Sequence, residues 1–386
     1  MTTARRQACG RLVRRAGGPI AVATLLVMTS ACSLFGPDRP KPKPLEPIAA
    51  PMGVQQLWRQ SVGKVDFPQA MAVHGDTVTV ASSDGSVLAV EVQSGREVWR
   101  VNVGGPLSAG VGGDGRTAAV VTRDGVLVVI ENGAVKWRKT LGVRVSTPPL
   151  IAGDRVFVLA VDRSVQAFDG QTGQKLWQYL RPGDPLALSQ TGVVAAYRNT
   201  LVVGQGPRLA GLDPAQAAPR WEVQVGSPRG ANEIERLADL VGPPVRAAET
   251  MCVRSFQAAV GCVDVERGTL RWSKAVGGTG PIGGDADQLF GADGSDRLSA
   301  WRTASGDVDW TSEALALRSL SGPAVIGASV VFGDRDGTLH WLSRAKGEAQ
   351  ARTLTDGSAV QVQPVVVGKT LIVLTRNGSL IALRPS

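Results

Sequence analysis

Short runs of alternating apolar and polar residues recur along the chain, and most of them lie between two glycine-containing turns. The stretch DGSVLAVEVQSGREVW, residues 84–99, has an Asp-Gly turn, alternating apolar positions, a second turn at Ser-Gly and a closing tryptophan. Asp-Gly permits the positive φ of a tight hairpin turn, and the alternation gives a strand two differently packed faces. The pattern therefore predicts antiparallel hairpins.

Versions of this pattern occur eight times. They cover residues 84–99, 124–137, 162–177, 206–221, 262–272, 293–310 and 336–351, and the last begins at residue 377. The last copy has no tryptophan, whereas Trp58 stands before the first copy without a turn of its own. A repeat of about 40 residues with several short strands is typical of a β-propeller. We predict an all-β fold over residues 54–386, an eight-bladed β-propeller whose ring is closed by the N-terminal strand.

The tryptophan that ends each copy is expected to start the outermost strand of a blade. There its ring can pack on the neighbouring blade while its N–H donates to a carbonyl oxygen. A strand borrowed from the N-terminus would remove the open seam of the ring, which would otherwise fray or aggregate.

One spacing between tryptophans is longer than the rest, from Trp221 to Trp272. Within it, residues 226–245 place Ile234, Leu237 and Leu240 at helical spacing. The pattern predicts a short helix or an ordered loop inserted on one face of the ring. Its apolar residues can either cover the edge of a blade or bind a partner, and periodicity alone favours neither.

The N-terminus has the order of a secretory signal: five arginines, an apolar run over residues 20–28 and then small residues before Cys32. The apolar run is shorter than the roughly 20 residues of a transmembrane helix. The context of Cys32 resembles a bacterial lipobox, which predicts a signal peptide over residues 1–31 and a lipidated Cys32. The alternative is an ordinary secreted protein. Ser33 resembles the sorting pattern for the outer membrane.

Residues 32–53 follow as a proline-rich tether. Six prolines lie between residues 33 and 53, with almost no apolar periodicity. If the segment is extended like polyproline throughout, it reaches roughly 65 Å at about 3.1 Å per residue.

The net charge and the absence of common catalytic motifs exclude several classes of function. The formal charge is +9, and residues 1–31 contribute five arginines and no acid, which leaves +4 without a basic stripe that would indicate nucleic-acid binding. No P-loop, GxSxG or CxxC motif is present, and His74 and His340 have no ligand partner at metal-binding spacing. The sequence therefore predicts no metal site and no cofactor.

Cys252 and Cys262 flank a predicted hairpin turn in a chain predicted to be exported. A cross-strand disulfide is feasible if their Cα atoms come within about 6 Å. Two small buried thiols in adjacent strands are the alternative, and the sequence leaves both open.

Two families share this tryptophan-marked repeat. One comprises the quinone-dependent alcohol and sugar dehydrogenases, and this resemblance implies an enzyme with pyrroloquinoline quinone (PQQ) and calcium at the ring centre. Those enzymes are longer than this chain and bind the cofactor through dedicated acidic and amide residues. The dehydrogenase is therefore kept as the alternative function.

The second resemblance is carried by specific segments: CSLF at 32–35, WRQSVG at 58–63, NEIERLAD at 232–239, GDRDGTLHWL at 333–342 and the closing RNGSLIALRPS. Together they resemble the BamB family, the lipoprotein subunits of the outer-membrane β-barrel assembly (BAM) machinery. The resemblance implies a non-catalytic scaffold at the periplasmic face of the outer membrane, held there by its lipid anchor. It also implies BamA, the barrel-forming insertase, as the partner, and assistance to unfolded outer-membrane proteins.

The family's docking surface is matched by two stretches of this chain. A Leu-x-Leu-Arg loop is matched by Leu186, Leu188 and Ser189, with serine in place of the arginine. An Asp-x-Asp pair after the insertion is matched by Asp239 and Val241, with valine in place of the second aspartate. The resemblance implies that the two leucines supply an apolar anchor.

Polar orientation at the rim of this surface is expected from Asp239, with Glu235 or Arg236 beside it. The alternative for the leucines is that both fold back onto the blade.

Overall fold

The computed structural model describes residues 41–48, 52–67, 69–181, 187–228 and 230–386. Residues 42–386 form one compact unit, and its described residues contain strands, turns and irregular segments without helix. The predicted signal peptide and Cys32 lie outside the described residues. Across the described part, no helix has the length and apolar character needed to span a membrane.

Within the described residues, thirty-two strands form eight four-stranded antiparallel sheets, so the predicted eight-bladed propeller is confirmed. Blade 1 contains β2 (Ala72–His74), β3 (Thr77–Ala81), β4 (Ser86–Glu91) and β5 (Glu97–Asn102). Blade 2 contains β6 (Gly112–Gly113), β7 (Thr117–Val121), β8 (Val126–Glu131) and β9 (Ala134–Thr140). Blade 3 contains β10 (Leu150–Ala152), β11 (Arg155–Leu159), β12 (Val165–Asp169) and β13 (Lys175–Tyr179). Blade 4 contains β14 (Val194–Tyr197), β15 (Thr200–Gln205), β16 (Arg208–Leu212) and β17 (Pro219–Gln224).

The second half of the ring repeats the same order. Blade 5 contains β18 (Leu240–Ala247), β19 (Thr250–Ser255), β20 (Ala259–Asp264) and β21 (Thr269–Lys274). Blade 6 contains β22 (Gly283–Gly284), β23 (Gln288–Ala292), β24 (Leu298–Arg302) and β25 (Val308–Ser312). Blade 7 contains β26 (Ala324–Ile326), β27 (Ser329–Gly333), β28 (Thr338–Ser343) and β29 (Ala349–Leu354). Blade 8 contains β30 (Val365–Val367), β31 (Thr370–Leu374), β32 (Ser379–Pro385) and β1 (Val54–Ser61).

Blade 8 is the one that joins both ends of the propeller. Strand β1 pairs antiparallel with β32, from Val54 opposite Pro385 to Ser61 opposite Ser379. The predicted closure of the ring by the N-terminal strand is therefore confirmed, and the backbone groups on this side of β32 are paired.

The hydrophobic core is divided into eight clusters, and each is shared by two neighbouring blades. Val78 and Leu88 of blade 1, for example, pack with Ile372 and Leu380 of blade 8. Leu339 and Trp341 of blade 7 likewise pack in one cluster with blade 8 residues. A blade therefore buries its two faces only between its neighbours, which explains why the sequence pattern must repeat.

The repeated tryptophan and the repeated glycine fit together at most of the described seams between blades. Trp58 donates its indole N–H to the carbonyl oxygen of Val92, 2.7 Å away, in the next blade. Its ring covers Gly95, where an added Cβ would lie 2.6 Å from the indole and where φ is +71°. The same indole-to-carbonyl bond recurs at Trp137, Trp177, Trp272 and Trp310. The glycine thus permits both the positive φ of the turn and the close approach of the tryptophan ring.

Residues 42–48, which fall in the predicted tether, lie against the outer side of the ring. Leu45 packs on the cluster shared by blades 6 and 7, and the backbone oxygen of Lys43 accepts a hydrogen bond from Arg318 at 2.7 Å. The sequence predicts a tether over residues 32–53 and gives no sign of this contact, because the groove that receives Leu45 is formed by residues distant in sequence.

Candidate functional site

The candidate docking residues lie on one face of the ring. Every blade has the same antiparallel strand order, so all connections from an outer strand to the next inner strand leave on the same side. This side, which we call the loop face, also carries the turns between the second and third strands of each blade. Three of its segments meet here: the turn after β11, the connection from β13 to β14, and the connection from β17 to β18.

Asp239 holds these three segments together. Its carboxylate accepts hydrogen bonds from Arg163 Nε at 3.0 Å and from the backbone N–H of Leu188 at 3.0 Å, and Arg163 Nη2 lies 2.9 Å from the same carboxylate. The backbone oxygen of Asp239 accepts from the N–H of Phe256. Asp239 is thus engaged within the chain, with a side chain only 14% exposed. It positions the loops instead of supplying the rim contact that the resemblance implies.

Arg163 is the functional residue that the sequence reading missed. Its φ is +65°, in the turn position where other copies have glycine. A non-glycine residue in this conformation is strained, and it persists where surrounding contacts compensate. Arg163 could have been identified from the sequence, because arginine replaces the turn glycine of the third copy. A strained arginine at this position indicates a compensating partner, and the structure shows that this partner is Asp239.

The Leu-x-Leu-Ser stretch is only partly described. Leu186 lies outside the described residues, Leu188 is half-buried and Ser189 is exposed. The carbonyl oxygen of Gln190 accepts from Ser146 Oγ at 2.9 Å, and the N–H of Gly192 donates to Thr147 Oγ1 at 2.9 Å. These bonds fix the C-terminal end of the loop to blade 3, and they leave Leu188 at the surface boundary.

The insertion after β17 forms an ordered turn over residues 231–236, which is the second of the two predicted alternatives. The helix alternative is wrong, because Leu240 belongs to strand β18 and only one turn of backbone bonding forms, from the N–H of Arg236 to the oxygen of Asn232. Glu235 closes the turn by accepting from the N–H of Ala231 at 2.8 Å and from Asn232 Nδ2 at 2.9 Å.

Ile234 stands at the tip of this turn and is 72% exposed. Glu235 and Arg236 are exposed beside it. Single exposed apolar side chains are common on protein surfaces, so Ile234 is a candidate because it lies in the segment that carries the family resemblance and not because of its exposure alone. Ile234 and Leu188 therefore form the apolar part of the candidate site.

Val241, the residue in place of the family's second aspartate, is not part of that surface. It lies in β18 opposite Arg254 and is only 4% exposed. Val241 therefore offers almost no surface for the partner contact that the resemblance implies. Burial lowers the pKa of the facing Arg254 to about 10, and this guanidinium, still charged at neutral pH, donates to the oxygen of Gly277 at 2.7 Å.

The loops enclose little free volume. The cavity beneath Leu188 and Asp239 measures about 40 Å³, which is room for one or two water molecules. The arrangement offers a surface with two apolar side chains and a charged margin, and this chemistry suits a protein partner better than a small ligand.

Cys252 and Cys262 face each other directly across β19 and β20, and the structure joins them in a disulfide. Both are fully buried in the cluster shared by blades 5 and 6. The bond therefore connects two neighbouring strands of blade 5.

Loss of this disulfide is expected to lower the free energy of unfolding by about 3 kcal/mol. The measurement is urea unfolding of the wild type and of Cys252→Ala with Cys262→Ala, each with and without a reducing agent. The reductant should lower the midpoint of the wild type alone. Reaction of the unfolded, unreduced wild type with a thiol reagent at both positions would contradict the bridge.

The two histidines lie apart from the candidate site. His74 is exposed at the end of β2, and His340 is buried with its Nε2 2.9 Å from Asp334 Oδ2. Burial would raise the pKa of Asp334, but the bonds from His340 and the N–H of Thr338 lower it below its usual range. Among the described residues, no group of three or more His, Cys, Asp and Glu side chains is placed to hold a metal ion.

The family described as outer membrane protein assembly factor BamB matches residues 53–105 and 83–312. The protein of that name from Burkholderia pseudomallei (strain K96243) is 35% identical over 378 residues, covering 97% of this chain and 99% of the relative. The one from Bordetella pertussis is 34% identical, covering 94% and 96%.

The fold and its repeats define the chain as an eight-bladed propeller in which the repeated tryptophans pack against and hydrogen-bond to the neighbouring blades. The chain belongs to the BamB family of outer membrane protein assembly factors, which confirms the resemblance predicted from sequence.

Solved structures agree on the fold. BamB from Moraxella catarrhalis superposes with a TM-score of 0.77 at 24% identity, covering 86% of this chain and 100% of that one. Quinohemoprotein alcohol dehydrogenase from Comamonas testosteroni superposes with a TM-score of 0.63 at 14% identity, covering 86% and 76%. The dehydrogenase thus shares the architecture, and sequence similarity distinguishes the two families.

Proposed function

We propose that this chain is a non-catalytic scaffold that binds the periplasmic domains of BamA through its loop face and so assists insertion of β-barrel proteins into the outer membrane. The observation that carries the proposal is the pair of apolar side chains, Ile234 and Leu188, on loops held by Asp239 and Arg163. Preorganised loops lose little conformational freedom on binding, so buried apolar area translates into affinity.

The docking surface that we propose comprises the loop with Leu186, Leu188 and Ser189, and the turn with Ile234, Glu235 and Arg236. Leu188 and Ile234 form its apolar centre, and Leu186 is expected there from the resemblance alone. The charged residues lie at the margin, where they orient a partner more than they add affinity. Asp239 acts from behind as a positioning residue.

The proposed location is the periplasmic face of the outer membrane, with lipidated Cys32 as the anchor. Support comes from the order of arginines, apolar run, small residues and cysteine in the sequence. In the BAM complex, unfolded outer-membrane proteins are the second class of partner that the resemblance implies.

A quinone enzyme is the competing function, and the residues at the ring centre do not fit its cofactor. A cavity of about 400 Å³ there is lined mostly by apolar side chains, among them Met71 and Val365. Asp285, the one carboxylate on its wall, lies 2.9 Å from Arg344 Nη1. Calcium prefers six to eight oxygen ligands, so a single paired carboxylate does not provide its site.

Purification of the full-length protein from its own membranes in mild detergent tests the proposed function. BamA is expected among the copurifying chains, and the N-terminal peptide is expected to carry lipid on Cys32. A matched purification of a Cys32→Ala variant with an ordinary signal peptide separates membrane attachment from partner binding. Recovery of an unlipidated protein without BamA would contradict the proposal.

A further inference from the structure

Residues 42–48, which we call the strap, show a burial period of three. Pro42, Leu45 and Ile48 are half-buried, and the four residues between them are exposed. A polyproline II helix has three residues per turn, so every third side chain lies on the same side. Three of the seven strap residues are prolines, which favour this conformation. One side of a polyproline-like segment therefore packs on the ring.

The strap backbone is recognised by specific donors and acceptors of the ring. The N–H of Lys43 donates to the oxygen of Ala316 at 3.2 Å, and Arg318 Nη2 donates to the oxygen of Lys43 at 2.7 Å. Arg352 Nη2 donates to the oxygen of Glu46 at 2.6 Å. A polyproline helix has no internal hydrogen bonds, so its carbonyl oxygens are available to such donors.

The groove that receives the strap is formed by core residues and a buried polar cluster of the ring. Leu45 packs on the core cluster that blades 6 and 7 share, which includes Phe332 and Leu342. Arg318 is 9% exposed and lies 3.7 Å from Asp334, which also bonds His340. His340 belongs to this buried polar cluster, and it is not part of the docking surface.

The direction of the strap follows from its contacts. Ala316 and Arg318 belong to the connection from β25 to β26, so the Lys43 end lies on the loop face. Met52 donates its N–H to the oxygen of Gln350 at 2.8 Å, near the start of β29, so the chain reaches the opposite face before β1 begins. The strap thus runs down the outer wall of blade 7, and its N-terminal end is on the face that carries Ile234.

We propose that the strap is a cis-bound polyproline segment that makes the loop face the membrane-proximal face of the ring. The inference rests on the proposed lipid anchor at Cys32. Ten residues lie between Cys32 and Lys43, so the eleven Cα-to-Cα steps span at most about 40 Å when extended. Release of the strap would lengthen the tether to Val54 and let either face approach the bilayer. With the strap bound, the docking surface therefore meets a partner whose binding element lies within about 40 Å of the membrane.

Single cysteines placed along residues 42–48 of the full-length protein test whether the strap is docked. Labelling by a water-soluble maleimide should be about tenfold slower at Pro42→Cys, Leu45→Cys and Ile48→Cys than at Pro44→Cys and Pro47→Cys, since local opening must precede reaction at covered positions. Arg352→Ala should reduce this difference. Equal labelling at all positions would overturn the inference, whatever the state of Cys32.

Membrane proximity is measured in vesicles that hold the lipidated protein and nitroxide-labelled lipids. A fluorophore on Thr140→Cys, at the loop-face end of β9, should be quenched at least about twofold more than one on Lys369→Cys, in the opposite face, because nitroxide quenching acts only at close range. Leu45→Asp should abolish the difference, whereas Pro44→Asp, which adds the same charge at an exposed position, should preserve it.

Equal quenching at the two positions in the wild type would overturn the orientation that the strap is proposed to impose. Failure of the protein to join the vesicles, together with periodic labelling of the strap, would instead contradict the proposed anchor and leave a docked strap with no membrane role.

Discussion

Leu188→Glu combined with Ile234→Glu is expected to weaken capture of BamA by at least about 100-fold. Both side chains lie at the candidate surface, Ile234 at the tip of a closed turn and Leu188 beside the carboxylate of Asp239. Docking would bury both, and a glutamate in either place would leave a charge without a partner in an apolar contact. The measurement is equilibrium binding of the purified protein to immobilised BamA.

Leu354→Glu is the matched control for this variant. Leu354 is 79% exposed at the loop-face end of β29 in blade 7, away from the loops of the candidate site, so the control adds one negative charge to the same face at an exposed apolar side chain. Its binding to BamA should equal that of the wild type. The assignment of the surface fails if the double variant keeps the wild-type unfolding midpoint and still binds BamA with wild-type affinity.

Gly95→Ala is expected to lower the free energy of unfolding by about 3 kcal/mol or more. The added Cβ would lie 2.6 Å from the indole of Trp58, so the tryptophan must leave its place and lose the bond to the oxygen of Val92. Because Trp58 belongs to β1, the damage falls on the seam that closes the ring. Urea unfolding followed by tryptophan fluorescence measures the loss.

Gly75→Ala separates backbone strain from this contact. Gly75 also has a positive φ, +55°, but an added Cβ there meets nothing within 4 Å. We expect a loss of only about 1 kcal/mol, the usual cost of alanine in a left-handed conformation. Equal losses at the two positions would show that the tryptophan contact contributes nothing.

The fold was predictable from sequence because its determinants are local and repeated. Turn dipeptides, alternating strands and a tryptophan at a fixed offset each report on one blade, and the unpaired Trp58 indicates how the ring closes. Ala217, with a φ of +59° in the degenerate fourth copy, shows that the geometry survives loss of the glycine. The number of blades therefore did not depend on any single residue.

The site was less predictable because its contacts join segments that are distant in sequence. Asp239 was identified by resemblance, but its bond to Arg163 spans 76 positions, and only the folded ring shows that its carboxylate faces inward. Val241 was assigned to the docking surface by the same resemblance, but it is buried. Its neighbours in sequence do not indicate that β18 begins at Leu240.

The strap shows the same limit of prediction from local sequence. Its prolines predict an extended backbone correctly, but they cannot reveal the groove beside Arg318 and Arg352.

Site-specific photocrosslinking in native membranes tests the central claim most directly. A photoreactive amino acid in place of Ile234 should yield a crosslinked product that contains BamA, whereas the same amino acid in place of Lys369, on the opposite face, should yield none. A product with BamA at residue 369 and none at residue 234 would contradict docking through the loop face.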